Sequence, residues 1–286
     1  MTPSVAILAS GAMGTAIARL LVANGVQVTT SFEGRSAESI ARAQSAGMTD
    51  VPFARLSEAD FVLSIVPPIA ALQFTESMRE PLSKADPKPV FVDCNAVSPV
   101  TVQEVAGIVA ATGTPFVDAS IIGIAPRPGE PSPHIYASGE HAAKLHRLAD
   151  HGLDIRVLEG AIGAASALKM AFAGISKGTL AVATAMILAA TRAGAAVALH
   201  RELAESESVL LQTLARRIPG MFPKAYRWVA EMQEIAEFAG DDRSAADIFD
   251  SFSSLYERIA SDVAGENRET AALLQFFTKP ERPASS

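Results

Sequence analysis

The sequence predicts an α/β protein: an N-terminal domain built on a mainly parallel sheet, followed by an all-helical C-terminal domain that opens on one long helix. Three observations predict it. From residue 4 to about 160, short β-branched runs alternate with helical stretches of about 10–15 residues, the signature of βαβ units. After Gly160 the strand signals stop, and Ala, Leu, Met, Glu and Arg dominate. The stretch 163–199 is Ala-rich, Gly-punctuated and nearly uncharged, which reads as a single helix buried on most sides. The composition shift places the boundary near 160, giving domains over 1–160 and 161–286.

Within the first domain the β-branched runs predict strands at 4–9, 26–31, 61–66, 89–93, 115–118, 134–138 and 154–158. Between them lie helices at 13–23, 36–46, 69–78, 99–111 and 140–150. Ser36 reads as the cap of the second helix, and Ser98-Pro99 as a cap followed by proline in the first turn. The tail Lys279–Ser286 reads as frayed.

Composition excludes several functions. The net charge is −7 and neither half is basic, which argues against a nucleic-acid partner. One cysteine, Cys94, leaves no internal disulfide and no cysteine-cluster zinc site, and suits a cytoplasmic setting. His134, His141, His146, His151 and His200 show no metal-ligand spacing, so no metal is expected. No basic leader precedes the first strand. The longest uncharged run of the apolar stretch, Gly178–Thr191, is shorter than the roughly 18–20 residues of a membrane span, so a buried helix is expected and no membrane.

The first strand runs into Ala9-Ser10-Gly11-Ala12-Met13-Gly14, and a helix follows. This is the chemistry of a dinucleotide-binding, Rossmann-type turn. Gly11 lets the backbone approach a pyrophosphate, Gly14 lets helix and strand pack closely, and the helix N-terminus faces the anion. Ala9 stands where the usual G-x-G-x-x-G has its first glycine. Past the second strand, Glu33 is followed by Arg35-Ser36. The planar fork of an arginine pairs with a 2′-phosphate, which favours NADP(H). The plainer alternatives are a solvated arginine and a capping serine.

At this point the chain resembles the 6-phosphogluconate dehydrogenase-like superfamily, which includes the β-hydroxyacid dehydrogenases and the imine reductases. Its C-terminal half resembles the subgroup with a C-terminal domain of unknown function. Gly11-Ala12-Met13-Gly14 is similar to the family's G-x-M-G turn, and Arg35-Ser36 to its N-R-[S/T]. Ala59–Pro67 resembles the signature ending in V-P, so Val66 and Pro67 are implied to pass under the cofactor. Asp93–Pro99 resembles the turn lining the nicotinamide, which implicates Asn95 and Ser98; as a cap, Ser98 is explained equally well. Asp118–Gly123 lies at the family's D-A-P-V-S-G-G, implying substrate contacts from Ser120, Ile122 and Gly123. Gly160–Lys169 resembles G-x-x-G-x-G-x-x-x-K, whose lysine is the catalytic residue. The departures are Ile122 in place of serine, and Ala173 and Ser176 where polar or acidic partners stand in the phosphogluconate enzymes. They argue against 6-phosphogluconate and for a less polar substrate.

Lys169 stands out without the resemblance. A lone lysine among Ala, Leu, Met and Phe on a buried helix is costly unless it is paired or functional. Partial burial lowers its pKa toward the range useful for proton transfer. The alternative is a lysine snorkelling at the first turn of a core helix. Ala173 and Ser176 share its face, and Lys177 lies about 80° around the helix, where it contacts substrate or makes a structural ion pair. Gly174 and Gly178 are spaced for close helix packing. Trp228, Met232 and Ile235 form an apolar stripe that reads as core, with Tyr226, Glu231 or Met232 as the pocket candidates.

The expected function is an NADP(H)-dependent oxidoreductase acting on the CH–OH or C=O group of a small organic acid or related carbonyl compound. An imine reductase on the same scaffold, and a non-catalytic NADP-binding protein, are the alternatives. The resemblance implies that imine reductases usually replace the lysine; Ala173 weakens the preference for carbonyl chemistry that Lys169 gives. A homodimer is expected, with the interdomain helix packed into the partner's C-terminal domain.

Overall fold

Apolar residues on both faces of the strands Phe61–Ser64 and Val90–Asp93, and of most of the strands beside them, bury the centre of the sheet. In the computed structural model, which describes residues 2–8 and 11–278, a compact first unit ends at Met170 and a second begins at Ala171. The first unit runs β1 (Ser4–Ile7), α1 (Ala12–Ala23), β2 (Gln27–Thr30), α2 (Ala37–Ser45), β3 (Thr49–Asp50), β4 (Phe61–Ser64), α3 (Ala71–Lys84), β5 (Val90–Asp93), α4 (Pro99–Ala110), β6 (Phe116–Ile122), β7 (His134–Ser138), α5 (His146–Ala149) and β8 (Asp154–Val157). Then α6 (Ala164–Arg192) begins. The strands form one sheet in the order β3-β2-β1-β4-β5-β6-β7-β8, with every pair parallel except β6–β7.

Parallel strands are covered on both faces, so alternate residues feed separate cores. Val5 and Ile7 of β1 join Ile17, Leu21, Val92 and Ile121 on one side. Ala6 and Leu8 join Val62, Phe74, Phe91 and Val105 on the other. All seven predicted strands are present. The 13–23 and 36–46 helices appear as α1 and α2, and 99–111 as α4. Ala9 and Ser10, and the tail 279–286, lie outside the described residues.

Six features differ from the sequence reading. The composition shift at 160 precedes the change of compact unit by ten residues, because the first turns of α6 pack with the sheet. β3 is two exposed residues paired only to β2, too short to leave a pattern. β6 runs to Ile122, because Asp118 and Ser120 are buried in the strand despite their polarity. α3 passes through Pro81 to Lys84, and the expected 140–150 helix is a 3-10 turn at Ala142–Leu145 followed by the single turn α5. The long helix stops at Arg192 rather than 199, because Gly194 takes φ 74° and ends it as a left-handed glycine. Its 29 residues span about 44 Å, not the ~55 Å of an unbroken 163–199 helix.

The second unit is helical throughout its described residues: the rest of α6, α7 (Ala196–Ser206), α8 (Ser208–Met221), α9 (Ala225–Ala239), α10 (Arg243–Ala264) and α11 (Arg268–Phe277). Its core holds Ile218, Met232, Ile235, Tyr256, Ile259 and Leu273. Gly174 and Gly178 do what their spacing predicts: a Cβ at Gly174 would lie 3.1 Å from the Phe249 ring, and one at Gly178 3.2 Å from the Phe252 ring. By length and composition α6 could cross a membrane, but Leu180, Ala181, Ile187 and Leu188 on it are buried.

Candidate active site

The strand-to-helix turn after β1 leaves its helix open. Gly11 caps α1 through its backbone only, and the first turn carries no acidic residue. The amides there are orphan donors at the positive end of a helix. Gly11 has an ordinary φ of −69°, and a Cβ on it would meet nothing within 4 Å. Neither backbone strain nor packing asks for glycine at 11, so the room in front of the helix is what glycine preserves. Ala12 and Met13 open the helix, and Gly14 is buried. The donor set fits a pyrophosphate.

Beyond β2, Arg35 and Ser36 are exposed. Ser36 caps α2, accepting from the Ser39 amide at 3.3 Å. The Glu33 carboxylate accepts from the Phe53 amide at 3.0 Å. Among the described residues no carboxylate forms a salt bridge with Arg35.

The ends of β4 and β5 are tied together by one amide. Asn95 accepts from the Val66 N–H at 2.7 Å and donates to Ser64 Oγ at 2.9 Å and to Asp93 Oδ1. Asn95 is buried, so it shapes the Val66-Pro67 turn; Pro67 is exposed and Val66 half-buried. Ser98 is fully buried and caps α4 on the Thr101 amide at 3.1 Å, leaving no surface for a ligand.

A row of buried polar groups crosses the sheet in register: Ser64, Asp93, Asp118 and Ser138, one each from β4, β5, β6 and β7. Asp118 accepts from Ser138 Oγ (2.8 Å), from the amides of Gly163 (2.8 Å), Ala165 (3.1 Å) and Ser166 (3.2 Å), and from Ser166 Oγ (2.7 Å). Oδ2 of Asp93 has no hydrogen-bond partner among the described residues. Burial pushes the Asp93 carboxyl up to about 7, with the Asp118 carboxylate adding to it. Neither aspartate emerges from the sequence as a site residue. The signal was there: an acid inside each of the apolar runs Val92-Asp93-Cys94 and Val117-Asp118-Ala119.

Lys169 sits one turn beyond Ser166. Its Nζ donates to the Ile121 carbonyl of β6 at 2.6 Å, and no carboxylate pairs with it among the described residues. Burial lowers its pKa from the ordinary lysine value. The strand that anchors the helix therefore also receives the ammonium. Ser120, next to Ile121, is fully buried and its hydroxyl has no partner among the described residues; Ile122 is half-buried, and Gly123 takes φ 141° against Pro133.

In the second unit, Ala173 is buried and Ser176 half-buried on α6. Lys177 forms an ion pair with Glu231 and lies 5.1 Å over the Trp228 ring, the structural one of its two expected roles. Met232 and Ile235 are core, as the stripe predicts, and Trp228 is half-buried with its ring edge-on to Tyr256 at 5.1 Å. Tyr226 is exposed.

Residues 4–144 match the NAD binding domain of 6-phosphogluconate dehydrogenase, and residues 190–259 match a domain of unknown function, DUF1932. The first unit carries the NAD binding domain of 6-phosphogluconate dehydrogenase, and the helical unit carries the DUF1932 domain. The chain is 29% identical over 216 residues to an uncharacterized 28.5 kDa protein from the 7S RNA 5′ region of Methanothermus fervidus, covering 74% of this chain and 82% of the relative. A solved conserved protein of unknown function, described as structurally similar to 3-hydroxyacid dehydrogenases, is 28% identical with a TM-score of 0.68, over 90% of this chain and 99% of that one. The 3-hydroxyisobutyrate dehydrogenase of Mycobacterium tuberculosis with L-serine superposes with a TM-score of 0.73 over 96% of this chain and 99% of that one. At 17% identity, that likeness is one of fold.

Proposed function

We propose that this 6-phosphogluconate dehydrogenase-like protein is an NADP(H)-dependent oxidoreductase that interconverts the CH–OH and C=O groups of a small organic acid or related carbonyl compound. One observation carries the reading: a largely buried lysine without a carboxylate partner, held on β6 in the unit that carries the dinucleotide turn. When bound, the nicotinamide supplies or accepts the hydride. In reduction, Nζ of Lys169 hydrogen-bonds the carbonyl oxygen and gives it a proton as the alkoxide develops. In oxidation, neutral Lys169 takes the hydroxyl proton. Because burial lowers the lysine pKa, reduction slows and oxidation quickens as pH rises through a midpoint below the ordinary lysine range. Ile122 replaces a hydroxyl in the substrate strand and favours a substrate with a hydrocarbon flank. The test is hydride transfer followed by nicotinamide absorbance across 3-hydroxy acids, their oxo forms and imines. No turnover with any of them leaves a non-catalytic NADP-binding protein.

The preference for NADP(H) rests on Arg35, which is exposed beyond β2, while the Glu33 carboxylate is held by Phe53. Arg35→Ala is expected to weaken NADPH binding about tenfold to a hundredfold, the worth of a hydrogen bond to a charged group, and to leave NADH unchanged. Titration of both dinucleotides checks it; equal losses remove Arg35 from the 2′-phosphate.

The same reading includes a homodimer in a reducing, cytoplasmic compartment. On α6, Phe172, Ile175, Val182 and Met186 are exposed at helical spacing, an apolar stripe suited to a second copy. Light scattering at micromolar concentration is expected to give twice the chain mass, and Ile175→Glu/Met186→Glu to give a monomer. A monomeric parent overturns the assignment.

A further inference from the structure

We infer that Asp118 is the positioning residue for Lys169: from its seat in β6 it holds the first turn of α6, so that the lysine one turn on returns to the same strand. The inference rests on Lys169 being the proton donor proposed above. The first amides of a helix need acceptors from outside the helical ladder. Here the acceptor comes from a strand 45 residues earlier in the chain rather than from a neighbouring cap residue. Asp118 accepts three backbone bonds at the start of the helix (from Gly163, Ala165 and Ser166), and the Ser166 hydroxyl occupies its second oxygen. Ser138 on β7 donates to the same carboxylate oxygen and accepts from the Ala165 amide at 3.0 Å, joining the anchor. Asp118, Ser138 and Ser166 are all buried, so the bonds are shielded from water.

Ser166 and Lys169 are neighbours on one helix face at i, i+3, and Asp118 and Ile121 are three residues apart on one strand. The helix is therefore tied to β6 twice, by the cap and by the lysine. The second tie, Nζ to the Ile121 carbonyl, uses one of the three ammonium donors and shares the amine with any substrate oxygen. The first does not depend on where the lysine points. This makes Asp118 more than a stabilising cap: it holds the amine where it is both desolvated and within reach of the end of β6.

The test is Asp118→Asn, which keeps the shape but points an NH₂ group at backbone donors. Acetylation of Lys169 by acetic anhydride as a function of pH, read by mass spectrometry, needs no substrate. The midpoint is expected to rise toward that of an ordinary lysine as the first turn loosens, with faster labelling. Turnover of a carbonyl substrate is expected to fall about 10²-fold, the cost of a misplacement near 1 Å, with dinucleotide affinity unchanged. Ser166→Ala removes only one of the five bonds and is expected to move both readouts the same way, with about a twofold to tenfold loss in kcat. If Asp118→Asn does not fold, Ser166→Ala decides. A folded variant with the parent's Lys169 titration and kcat overturns the inference. A parent without activity on any carbonyl compound overturns the proposed function instead, and the Lys169 titration still reads the anchor.

Discussion

Lys169→Met is expected to cut turnover of a carbonyl substrate by about 10²–10⁴, the usual worth of a positioned general acid. Methionine keeps the volume of the stem and removes the charge and the donors. The Ile121 carbonyl loses one partner, and the removal of a desolvated ammonium offsets it, so the fold is expected to hold. Dinucleotide binding is expected to survive, because the turn at Gly11–Gly14 and the Val66-Pro67 turn do not involve the lysine. Steady-state kinetics and dinucleotide titration on the same preparation check both halves. An unchanged carbonyl rate removes Lys169 from the mechanism and moves the proton donor to Ser120, Tyr226 or water. A small loss confined to carbonyls, with imine reduction intact, points to iminium substrates that arrive already charged.

Asp93→Asn is expected to stabilise the protein at pH 8 and to flatten its pH dependence. The Asp93 carboxyl is pushed up to about 7 in the folded chain. An unfolded aspartate titrates near 4. Below about pH 4 both states hold the proton, and the group has no effect on stability. From about 4 to 7 the unfolded chain releases its proton while the folded chain keeps it, so stability falls as pH rises. Above about 7 the penalty is complete, on the order of 4 kcal/mol. In the variant, the amide oxygen still accepts from Asn95, and an NH₂ group replaces the unpartnered Oδ2 beside Asp118. Urea midpoints of parent and variant at pH 5 and pH 8 give the comparison. Parallel pH curves would mean that the buried carboxyl does not titrate as its surroundings dictate.

The strands of the first unit were legible because burial on both faces leaves uninterrupted apolar runs, and the turn after β1 because glycine at 11 and 14 serves a purpose that sequence alone displays. Asn95 and Ser98 show the limit of such reading. Both lie at strand ends where ligands bind, yet one bridges β4 to β5 and the other caps α4. A polar residue near a site contributes through its geometry, which residue type does not encode. Asp118 was hidden for the opposite reason: its partners are amides 45–48 residues away, and no local pattern announces a cap supplied by a distant strand. Lys169 was legible because an isolated charge among apolar neighbours needs an explanation in any fold. The long helix was overextended because Gly194 resembles the packing glycines before it until its torsion is seen.

β6 constrains how this protein can change over generations. Its odd and even residues serve different masters: Ala119 and Ile121 fill the apolar core, while Asp118 belongs to the polar row on the opposite face. A substitution in the strand alters one side chain. Loss or gain of a single residue ahead of Asp118 exchanges the two faces, setting a carboxylate among Val92, Ile135 and Ala137 and stripping the cap from α6 in one event. Length variation is thereby steered out of the strand and into the segment 123–133, where Ile124 is exposed. The strand itself is free to drift only one residue at a time.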